Sequence, residues 1–537
     1  MTGHPVDDFG SRRSTVYSTA GMVATSQPLA ATAGLETLES GGNAFDAAVA
    51  TAAALNVVEP TSTGLGGDVF ALYRTADGEV GAMRACGGAP ADATRERVRA
   101  AVADDGEAPS AAEMPFLGPH TVTVPGTARG WEATVERFGA GTLADALAPA
   151  IRYATEGYPV SPVIADAWSH AEALFETDHA RDAYLVDGER APDVGEVVTL
   201  PELGQTMQRI AEAGADVVYE GEIAEAIAGE VQAAGGFLTV DDLAAFEVEW
   251  PDPVSTTYNG VEVYELPPNN QGLVALEALN VASELDAGDH EGAERVHRFV
   301  EATKRAFHDG HRYITDPDYE AIPPLDSSEW ARDRASEVGD TASDVTFMPD
   351  TNAEDADTVL LCVADAAGNV VSYINSRFAG FGSGLVAGDS GIALQNRGAS
   401  FSLDDGHPNR LEPGKRPFHT LIPGLLEFGP DDWAAFGVMG GFMQPQGHVQ
   451  VVSNLVDRGL SPQQALDSPR WRYREDGRLA VEARFDAGIQ NTLARKGHDV
   501  SILRPGMFGG AQYVRRDADG VCSGATEPRK DGTVAGR

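Results

Sequence analysis

The order of apolar and polar residues predicts helices in the first half of the chain. Residues 28–39 have helical spacing and end at Ser-Gly-Gly, and Asn43 can cap the helix that follows. Most of residues 90–250 show the same spacing. At 253–266 two short apolar runs flank Asn-Gly, a dipeptide typical of hairpin turns. The pattern indicates a protein of mixed helices and strands.

A threonine opens an apolar segment in the second half of the chain. Thr358 is followed by Val-Leu-Leu-Cys-Val, by the turn-forming sequence Asp-Ala-Ala-Gly-Asn at 365–369, and by a second apolar run at 370–374. This order predicts a strand, a tight turn and a returning strand. The polar, acidic residues 338–356 directly precede it and predict a linker. Strand-like segments continue to about residue 450.

Acidic residues outnumber basic ones: 82 Asp and Glu stand against 39 Lys and Arg, a net charge of −43. The apolar fraction of 42% is ample for a core, so the charge predicts a solvated surface. At low salt its self-repulsion would weaken the compact state, whereas at molar salt the Debye length is about 3 Å. We expect a halophilic protein. Nucleic acid is excluded as a partner, because phosphate binding needs clustered positive charge.

No segment predicts export or membrane insertion. Residues 1–18 are polar and predict a loose leader, since they lack the apolar stretch of a signal peptide. No 18-residue apolar run occurs in the chain, so we expect a cytoplasmic protein without contact to a membrane. The three cysteines are far apart and the twelve histidines are scattered. Neither a disulfide framework nor a metal site is predicted, and no cofactor is expected.

A glycine-rich loop, Thr-Ser-Thr-Gly-Leu-Gly-Gly-Asp, occupies residues 61–68. It follows a predicted helix and precedes a predicted hairpin at 69–84. Phosphate-binding loops of this kind run from a strand into a helix, so the order excludes a nucleotide site.

Several motifs along the chain together resemble the gamma-glutamyltransferase family. They are, in order, Gly-Gly-Asn-Ala-Phe-Asp-Ala-Ala-Val at 41–49, Val-Glu-Pro at 58–60, Gly-Leu-Gly-Gly at 64–67, Phe-Gly-Ser-Gly-Leu-Val at 381–386, Gly-Lys-Arg-Pro at 414–417 and Gly-Gly at 440–441. The resemblance covers most of the chain. It implies an α+β fold, the four-layer αββα sandwich of N-terminal nucleophile hydrolases.

The resemblance also implies that the peptide bond before Thr358 is cut by the protein itself. Residues 1–357 would form a large subunit and 358–537 a small one, together one composite domain that could associate further into a homo-oligomer. The threonine hydroxyl needs a base to take its proton. A freed α-amine, with a pKa of about 7.7–8.0, can be that base, so Thr358 would supply both groups.

Three further residues are assigned to the reaction by the resemblance. Ser376 would hydrogen-bond the nucleophile, although a serine at a strand end needs no function. Gly440 and Gly441 would form the oxyanion hole, because successive glycines let the backbone present N–H groups closely to a reacting oxygen. As an ordinary turn they would need no such role.

The substrate pocket departs from the family pattern at the groups that bind a glutamate. Cys86 stands where the family has an arginine for the α-carboxylate, with Arg84 two residues away. Ser400 stands in place of the aspartate that binds the α-amino group. Without that aspartate, an α-ammonium group lacks its charge partner.

Other pocket positions have changed as well. Phe378 replaces an asparagine, Arg397 replaces a glutamine, and His419 and Thr420 replace a serine pair. Arg397 adds positive charge, which favours a carboxylate-bearing acyl group without an α-amine, as in the acylase-like branch. Alternatively, Arg397 pairs with one of the protein's own carboxylates.

Three hypotheses follow for the function. The first is a self-processing threonine amidohydrolase or acyltransferase acting on gamma-glutamyl amides such as glutathione. The second is a cephalosporin or glutaryl-type acylase with the same machinery. The third is an uncleaved, inactive relative that only binds. In the first two, the partner is a small-molecule amide.

Overall fold

A computed structural model describes residues 13–103, 110, 112–346 and 358–537. Its α-helices are α1 (Pro28–Glu39), α2 (Ala44–Val58), α3 (Arg95–Val102), α4 (Thr127–Phe138), α5 (Leu143–Glu156), α6 (Pro162–Trp168), α7 (Ala171–Leu174), α8 (Asp178–Tyr184), α9 (Pro201–Ala213), α10 (Asp216–Tyr219), α11 (Glu222–Ala233), α12 (Val240–Ala244), α13 (Gly272–Glu284), α14 (Gly292–Tyr313), α15 (Ser328–Ser336), α16 (Met443–Val456), α17 (Pro462–Asp467) and α18 (Ala487–Arg495).

The strands are β1 (Val16–Ser18), β2 (Gly21–Thr25), β3 (Asp68–Arg74), β4 (Val80–Ala85), β5 (Tyr158–Pro159), β6 (Val197–Val198), β7 (Val254–Tyr258), β8 (Val261–Glu265), β9 (Val359–Asp365), β10 (Val370–Ser376), β11 (Gly424–Gly429), β12 (Asp432–Met439), β13 (Trp471–Tyr473), β14 (Leu479–Glu482), β15 (Val500–Leu503), β16 (Gly510–Arg516), β17 (Cys522–Thr526) and β18 (Thr533–Gly536).

Two antiparallel sheets form the centre of the molecule. One has the strand order β18-β2-β9-β10-β3-β4, and the other the order β1-β17-β16-β12-β11-β8-β7. They pack face to face, with β9 and β10 of the first against β12 and β16 of the second. Two smaller sheets, β13-β14-β15 and β5-β6, lie outside this pair.

Strand β9 shows why the central strands are apolar on both faces. Leu360, Cys362 and Ala364 lie in the core between the two sheets. Val359, Leu361 and Val363 lie in a second core, which contains α1, α2, α4 and α5. Since successive side chains of a strand point to opposite faces, a sheet covered on both sides needs an unbroken apolar run. Thus β9 is a central strand.

Helices cover the outer face of the other sheet as well. Residues of α13, α14 and α16 share a third core with β8, β12 and β16. The order of layers is therefore helices, sheet, sheet, helices, which confirms the predicted α+β, four-layer αββα sandwich. Among the described residues, no helix combines the length and apolar character needed to cross a bilayer.

Several local predictions can be compared with the structure. The predicted cap is confirmed: Asn43 accepts from the backbone of the first turn of α2 in a capping box with Asp46. The prediction of strands up to residue 450 was wrong, because α16 begins at Met443 directly after Gly440-Gly441. The predicted leader is not wholly loose, since β1 pairs with β17. Most of the predicted linker, residues 347–356, and Asp357 lie outside the described residues.

Candidate active site

The hairpin of β9 and β10 brings the predicted nucleophile next to its predicted partner. Val359 pairs with Asn375, so Thr358 and Ser376 lie opposite each other at the open end. Thr358 Oγ1 donates a hydrogen bond to Ser376 Oγ at 3.3 Å, and both residues are buried. Ser376 Oγ also accepts from the Phe378 N–H at 2.8 Å. The threonine hydroxyl is therefore oriented by a second hydroxyl, which is in turn held by the backbone.

A buried carboxylate lies on the neighbouring strand. Asp68 begins β3 and pairs with Ser376 across the sheet. Its Oδ2 is 3.0 Å from His419 Nε2, and its Oδ1 accepts from Gln395 Nε2 at 3.1 Å. His419 Nδ1 accepts from the Leu421 N–H at 3.3 Å. Because Nδ1 is an acceptor, the proton of the neutral imidazole is on Nε2, which donates to Asp68.

Burial shifts both members of this pair towards their neutral forms. It raises the pKa of Asp68 to about 7, although the nearby Arg397 charge and the hydrogen bond from Gln395 oppose the shift. It lowers the pKa of His419 well below its usual range, and the charges of Arg397 and Arg84 lower it further. His419 is therefore a neutral hydrogen-bonding group at neutral pH.

Arg397 is a buried cation whose hydrogen bonds are incomplete. Its Nη1 donates to Thr420 Oγ1 at 2.8 Å, and its guanidinium carbon lies 4.3 Å from the centroid of the Phe378 ring. Its Nε and Nη2 have no partner among the described residues. Burial lowers the pKa of Arg397 to about 10, and the Asp68 carboxylate favours its charged form. A charged guanidinium with two unpaired donors is suited to an anionic ligand.

The predicted oxyanion glycines lie at the end of β12, before α16. Gly440 has φ +118° and Gly441 has φ +55°, conformations that favour glycine. Among the described residues, neither N–H has an acceptor. Gln271 Nε2 donates to the carbonyls of Gly441 at 3.1 Å and Thr420 at 2.6 Å. One side chain thus joins the glycine turn to the segment that holds Arg397.

Two predicted substrate-binding residues lie outside this network. Arg84 donates to Glu249 at 3.0 Å and to the Pro267 carbonyl at 3.2 Å, so its guanidinium is bound within the protein. Ser400 is half-buried, and its carbonyl accepts from Asn409 Nδ2 at 2.6 Å. The structure therefore brings together Thr358, Ser376, Arg397, His419, Thr420, Gly440 and Gly441.

The sequence reasoning missed three polar residues that hold this network, Asp68, Gln271 and Gln395. All three are fully or almost fully buried. Asp68 was visible only as the last residue of the glycine-rich loop. A charged residue directly before an apolar strand was the one available signal, and its side-chain partners His419 and Gln395 lie 351 and 327 positions away.

A cluster of metal-ligating residues lies elsewhere, on α14 and beside β15. Ligand atoms of His297, Glu301 and His498 lie within 4.8 Å of one another. His297 Nε2 donates to the Gly339 carbonyl at 3.0 Å, so His498 Nε2 must donate to His297 Nδ1 at 2.9 Å. Lys304 Nζ is 2.9 Å from Glu301. The atoms that could bind a metal ion are thus already hydrogen-bonded or ion-paired. The positive charge of Lys304 also disfavours a metal cation here.

Comparison with known protein families and curated proteins gives consistent matches. The family model described as gamma-glutamyltranspeptidase matches residues 30–537. A glutathione hydrolase-like YwrD proenzyme of Bacillus subtilis (strain 168) is 38% identical, over 97% of this chain and 99% of the relative. An oxamate amidohydrolase proenzyme of Klebsiella pneumoniae subsp. pneumoniae is 36% identical, with the same coverage of both chains.

A solved structure is also similar over the full length of the chain. The crystal structure of cephalosporin acylase from Bacillus halodurans is similar to this chain with a TM-score of 0.91 and 45% sequence identity. The match covers 100% of this chain and 99% of that one.

Proposed function

Because the chain belongs to the gamma-glutamyltranspeptidase family, we propose that it is a self-processing amidohydrolase whose nucleophile is Thr358. The observation that carries the proposal is the arrangement of two groups in one buried network. The first group is the Thr358 hydroxyl, which is hydrogen-bonded to Ser376. The second is the Arg397 guanidinium, which has two unpaired donors.

Scission before Thr358 would give two fragments that cannot separate easily. Strand β9 begins directly after this residue and lies between β2 of the large fragment and β10 of the small one. On the other side of β10 lies β3, again from the large fragment. The two fragments thus share one sheet and its cores, so the cut frees an α-amine while the fold stays intact.

The proposed reaction has two steps, formation of an acyl-enzyme and its hydrolysis. In the first, the freed amine takes the hydroxyl proton while Thr358 Oγ1 bonds to the amide carbon of the substrate. The C–N bond then breaks, the proton passes to the leaving amine, and an ester to Thr358 remains. In the second, water attacks the ester, its proton passes through the same amine to Oγ1, and the carboxylic acid is released. An acceptor amine in place of water would give transfer.

The tetrahedral intermediate of each step carries a negative oxygen. The N–H groups of Gly440 and Gly441, which have no acceptor among the described residues, are the donors we assign to it. Such donors stabilise the charge without reorganisation, because the turn already holds them. The carbonyl of Gly441 is held by Gln271, which keeps the turn in place.

Arg397 is the group we assign to the substrate's acyl half. Its unpaired N–H groups fit a carboxylate, and Asp68, which favours its charged form, is itself occupied by His419 and Gln395. Ser400 offers no charge to an α-ammonium group. The preferred acyl group therefore carries a carboxylate and no α-amine. Oxamate, the substrate named for the Klebsiella relative, is such an amide, and the Bacillus halodurans relative is named an acylase.

A second candidate is hydrolysis of gamma-glutamyl amides such as glutathione. It is favoured by the Bacillus subtilis relative, which is named glutathione hydrolase-like. A gamma-glutamyl group also carries a carboxylate that Arg397 could bind. It differs in having the α-ammonium group, for which the site has lost the family's aspartate.

Parallel assays separate the candidates. Oxalyl, glutaryl and gamma-glutamyl 4-nitroanilides would be compared by kcat/KM. We expect the oxalyl or glutaryl compound to be the better substrate, and a clear preference for the gamma-glutamyl compound would establish the second candidate. No turnover, together with a single intact chain of 56.4 kDa, would show that the protein is an uncut binding relative.

Variants of Arg397 test the assignment of the carboxylate site. The wild type should prefer a glutaryl anilide over its methyl ester by roughly tenfold or more, because a charge-assisted hydrogen bond contributes about 1.5–3 kcal/mol. Arg397→Met should abolish this preference, and Arg397→Lys, which keeps the charge but not the planar fork, should retain part of it. An unchanged preference in Arg397→Met would refute the assignment.

A further inference from the structure

A cavity of about 420 Å³ lies beside the proposed reaction centre. Two loops that carry the machinery reach its wall. Residues 379–382 follow the Ser376–Phe378 segment, and Met439 and Gly440 include one of the proposed oxyanion glycines. The volume is in the range of small-molecule sites, which is about 300–1,000 Å³. Arg397, in contrast, does not line this cavity.

The Phe378 ring lies close both to Arg397 and to the cavity wall. The Arg397 guanidinium carbon is 4.3 Å from the centroid of this ring. The centroid of Phe116, a residue of the cavity wall, is 6.1 Å from it. Asn396, which precedes Arg397 in the chain, is bound to the same wall, because it donates to the Phe116 carbonyl at 2.9 Å and accepts from the Ala379 N–H at 3.1 Å. A substrate amide at Thr358 would thus have different surroundings for its two halves.

The cavity wall is mainly apolar. Its larger apolar side chains are Phe116, Leu117, Val163, Leu174, Phe381, Met439 and Met507. Leu117 is 45% exposed, so its side chain is accessible to a ligand in the cavity. Such a wall is suited to an aromatic ring or a similar apolar body.

The charge of the cavity is opposite to that of the molecule. Basic residues are outnumbered about two to one in the chain, yet Arg472, Arg504, Arg529 and Lys530 line this site against one carboxylate, Asp166. Arg529 is bound to Glu482 and Glu527, and Arg472 to Glu475. Arg504 is exposed, and no described carboxylate forms an ion pair with it. The Arg504 guanidinium could therefore form an ion pair with a carboxylate of the ligand.

We propose that this cavity binds the leaving amine of the substrate and takes an aromatic or similarly apolar amine that carries a carboxylate. The inference rests on the proposed function, since it requires cleavage of an amide whose acyl half is bound by Arg397 and whose amine half lies in this cavity. It assigns the specificity for the amine half to Arg504 and Leu117. Specificity for the acyl half is still assigned to Arg397.

The test uses four glutaryl amides that differ only in the amine: ammonia, aniline, 4-aminobenzoate and methyl 4-aminobenzoate. For each enzyme, kcat/KM for the acid is divided by that for the ester. In Arg504→Ala this ratio should fall about threefold to tenfold, mainly through KM, as expected for a charge pair of about 1 kcal/mol. The intrinsic reactivity of the two amines cancels, because wild type and variant are compared with the same compounds.

Two controls restrict the interpretation. Arg332→Ala removes an exposed arginine on α15 that does not line the cavity, and it should leave the ratio unchanged. Leu117→Ser should lower kcat/KM for the anilide relative to the ammonia amide. Turnover of the ammonia amide is the reference within each enzyme, so a general loss of activity cancels from the comparison.

A ratio that is unchanged in Arg504→Ala would overturn the proposal. So would an effect of this variant on the acyl half, seen as altered discrimination between glutaryl and methyl glutaryl anilides. A failure of the proposed function is seen separately, as no turnover of any amide by the wild type. In that case calorimetry with free 4-aminobenzoate decides: binding to the wild type that weakens in Arg504→Ala supports the cavity site, and no binding refutes it.

Discussion

At the scale of single residues, the candidate site consists of buried polar groups. Thr358 and Ser376 share a hydrogen bond inside the protein, and Arg397 has two donors without a described acceptor. Burying the donors of a guanidinium without partners costs free energy, so their presence is expected where a ligand completes the bonds. We therefore expect Arg397 to serve ligand binding more than stability.

Substitution of Thr358 tests the nucleophile. Thr358→Ala should leave one chain of 56.4 kDa and abolish activity, because it removes the hydroxyl for both scission and catalysis. Thr358→Ser should keep some of each. Intact mass and sequencing of the new amino terminus measure the scission, and anilide hydrolysis measures activity. A Thr358→Ala variant that still matures would show that another residue is the nucleophile.

Asp68 should make stability depend on pH in an unusual direction. Its pKa is raised in the folded state to about 7, from 3.8, so the folded protein binds the proton more tightly than the unfolded chain. The contribution of this group is thus most favourable below pH 4 and is lost as the pH rises towards 7. The Asp68→Asn variant has no titrating group at this position, so it should not show this loss of stability as the pH rises.

The measurement for Asp68 is the thermal unfolding midpoint of wild type and Asp68→Asn between pH 4 and 8. The difference between them should change in favour of the variant as the pH rises. Other buried carboxylates, such as Glu265 and Glu277, affect both proteins equally and cancel. A difference independent of pH would contradict the assignment.

At the scale of elements, the proposed reaction centre lies at the ends of three strands. Thr358 precedes β9, Ser376 ends β10, and the glycine pair separates β12 from α16. His448 of α16 accepts from the Val438 N–H of β12 at 3.1 Å and donates to Glu265. This buried link joins strand and helix on either side of the turn that carries the proposed oxyanion donors.

Gly440→Ala should damage catalysis more than folding. The residue has φ +118°, which is strained for alanine, and its Cβ would lie 3.1 Å from the Gly509 Cα. The turn must therefore shift, and loss of one oxyanion donor lowers kcat by about 10²–10³. Gly429→Ala is the matched control, because a Cβ there meets nothing within 4 Å. Equal kcat for the two variants would exclude Gly440 from the oxyanion hole.

At the scale of the whole molecule, a net charge of −43 is combined with a fold that has four apolar clusters among its described residues. The mutual repulsion of surface carboxylates opposes the compact state and is screened by salt. We therefore predict that the thermal unfolding midpoint rises between 0.2 and 2 M KCl. A midpoint that does not change, or that falls, would show that the charge is not a salt adaptation.

Much of the fold could be predicted because local patterns determine local structure. The β9–β10 hairpin followed from two apolar runs and the turn sequence Asp-Ala-Ala-Gly-Asn, and α2 followed from its cap. The helix α16 was mistaken for strand because its Gln and Val residues do not show a clear helical period and its environment is buried throughout. Burial on all sides removes the amphipathic signal on which such predictions depend.

The sequence by itself determined the β9–β10 hairpin, the cap of α2 and the net charge, because the first two depend on residues close together in the chain and the third on composition alone. Only the tertiary structure decided that Asp68, His419 and Arg397 meet, that Arg84 is bound to Glu249, and that a basic cavity lies beside Gly440. These contacts join positions up to about 350 residues apart, and they follow from how the sheets stack, which no local pattern encodes.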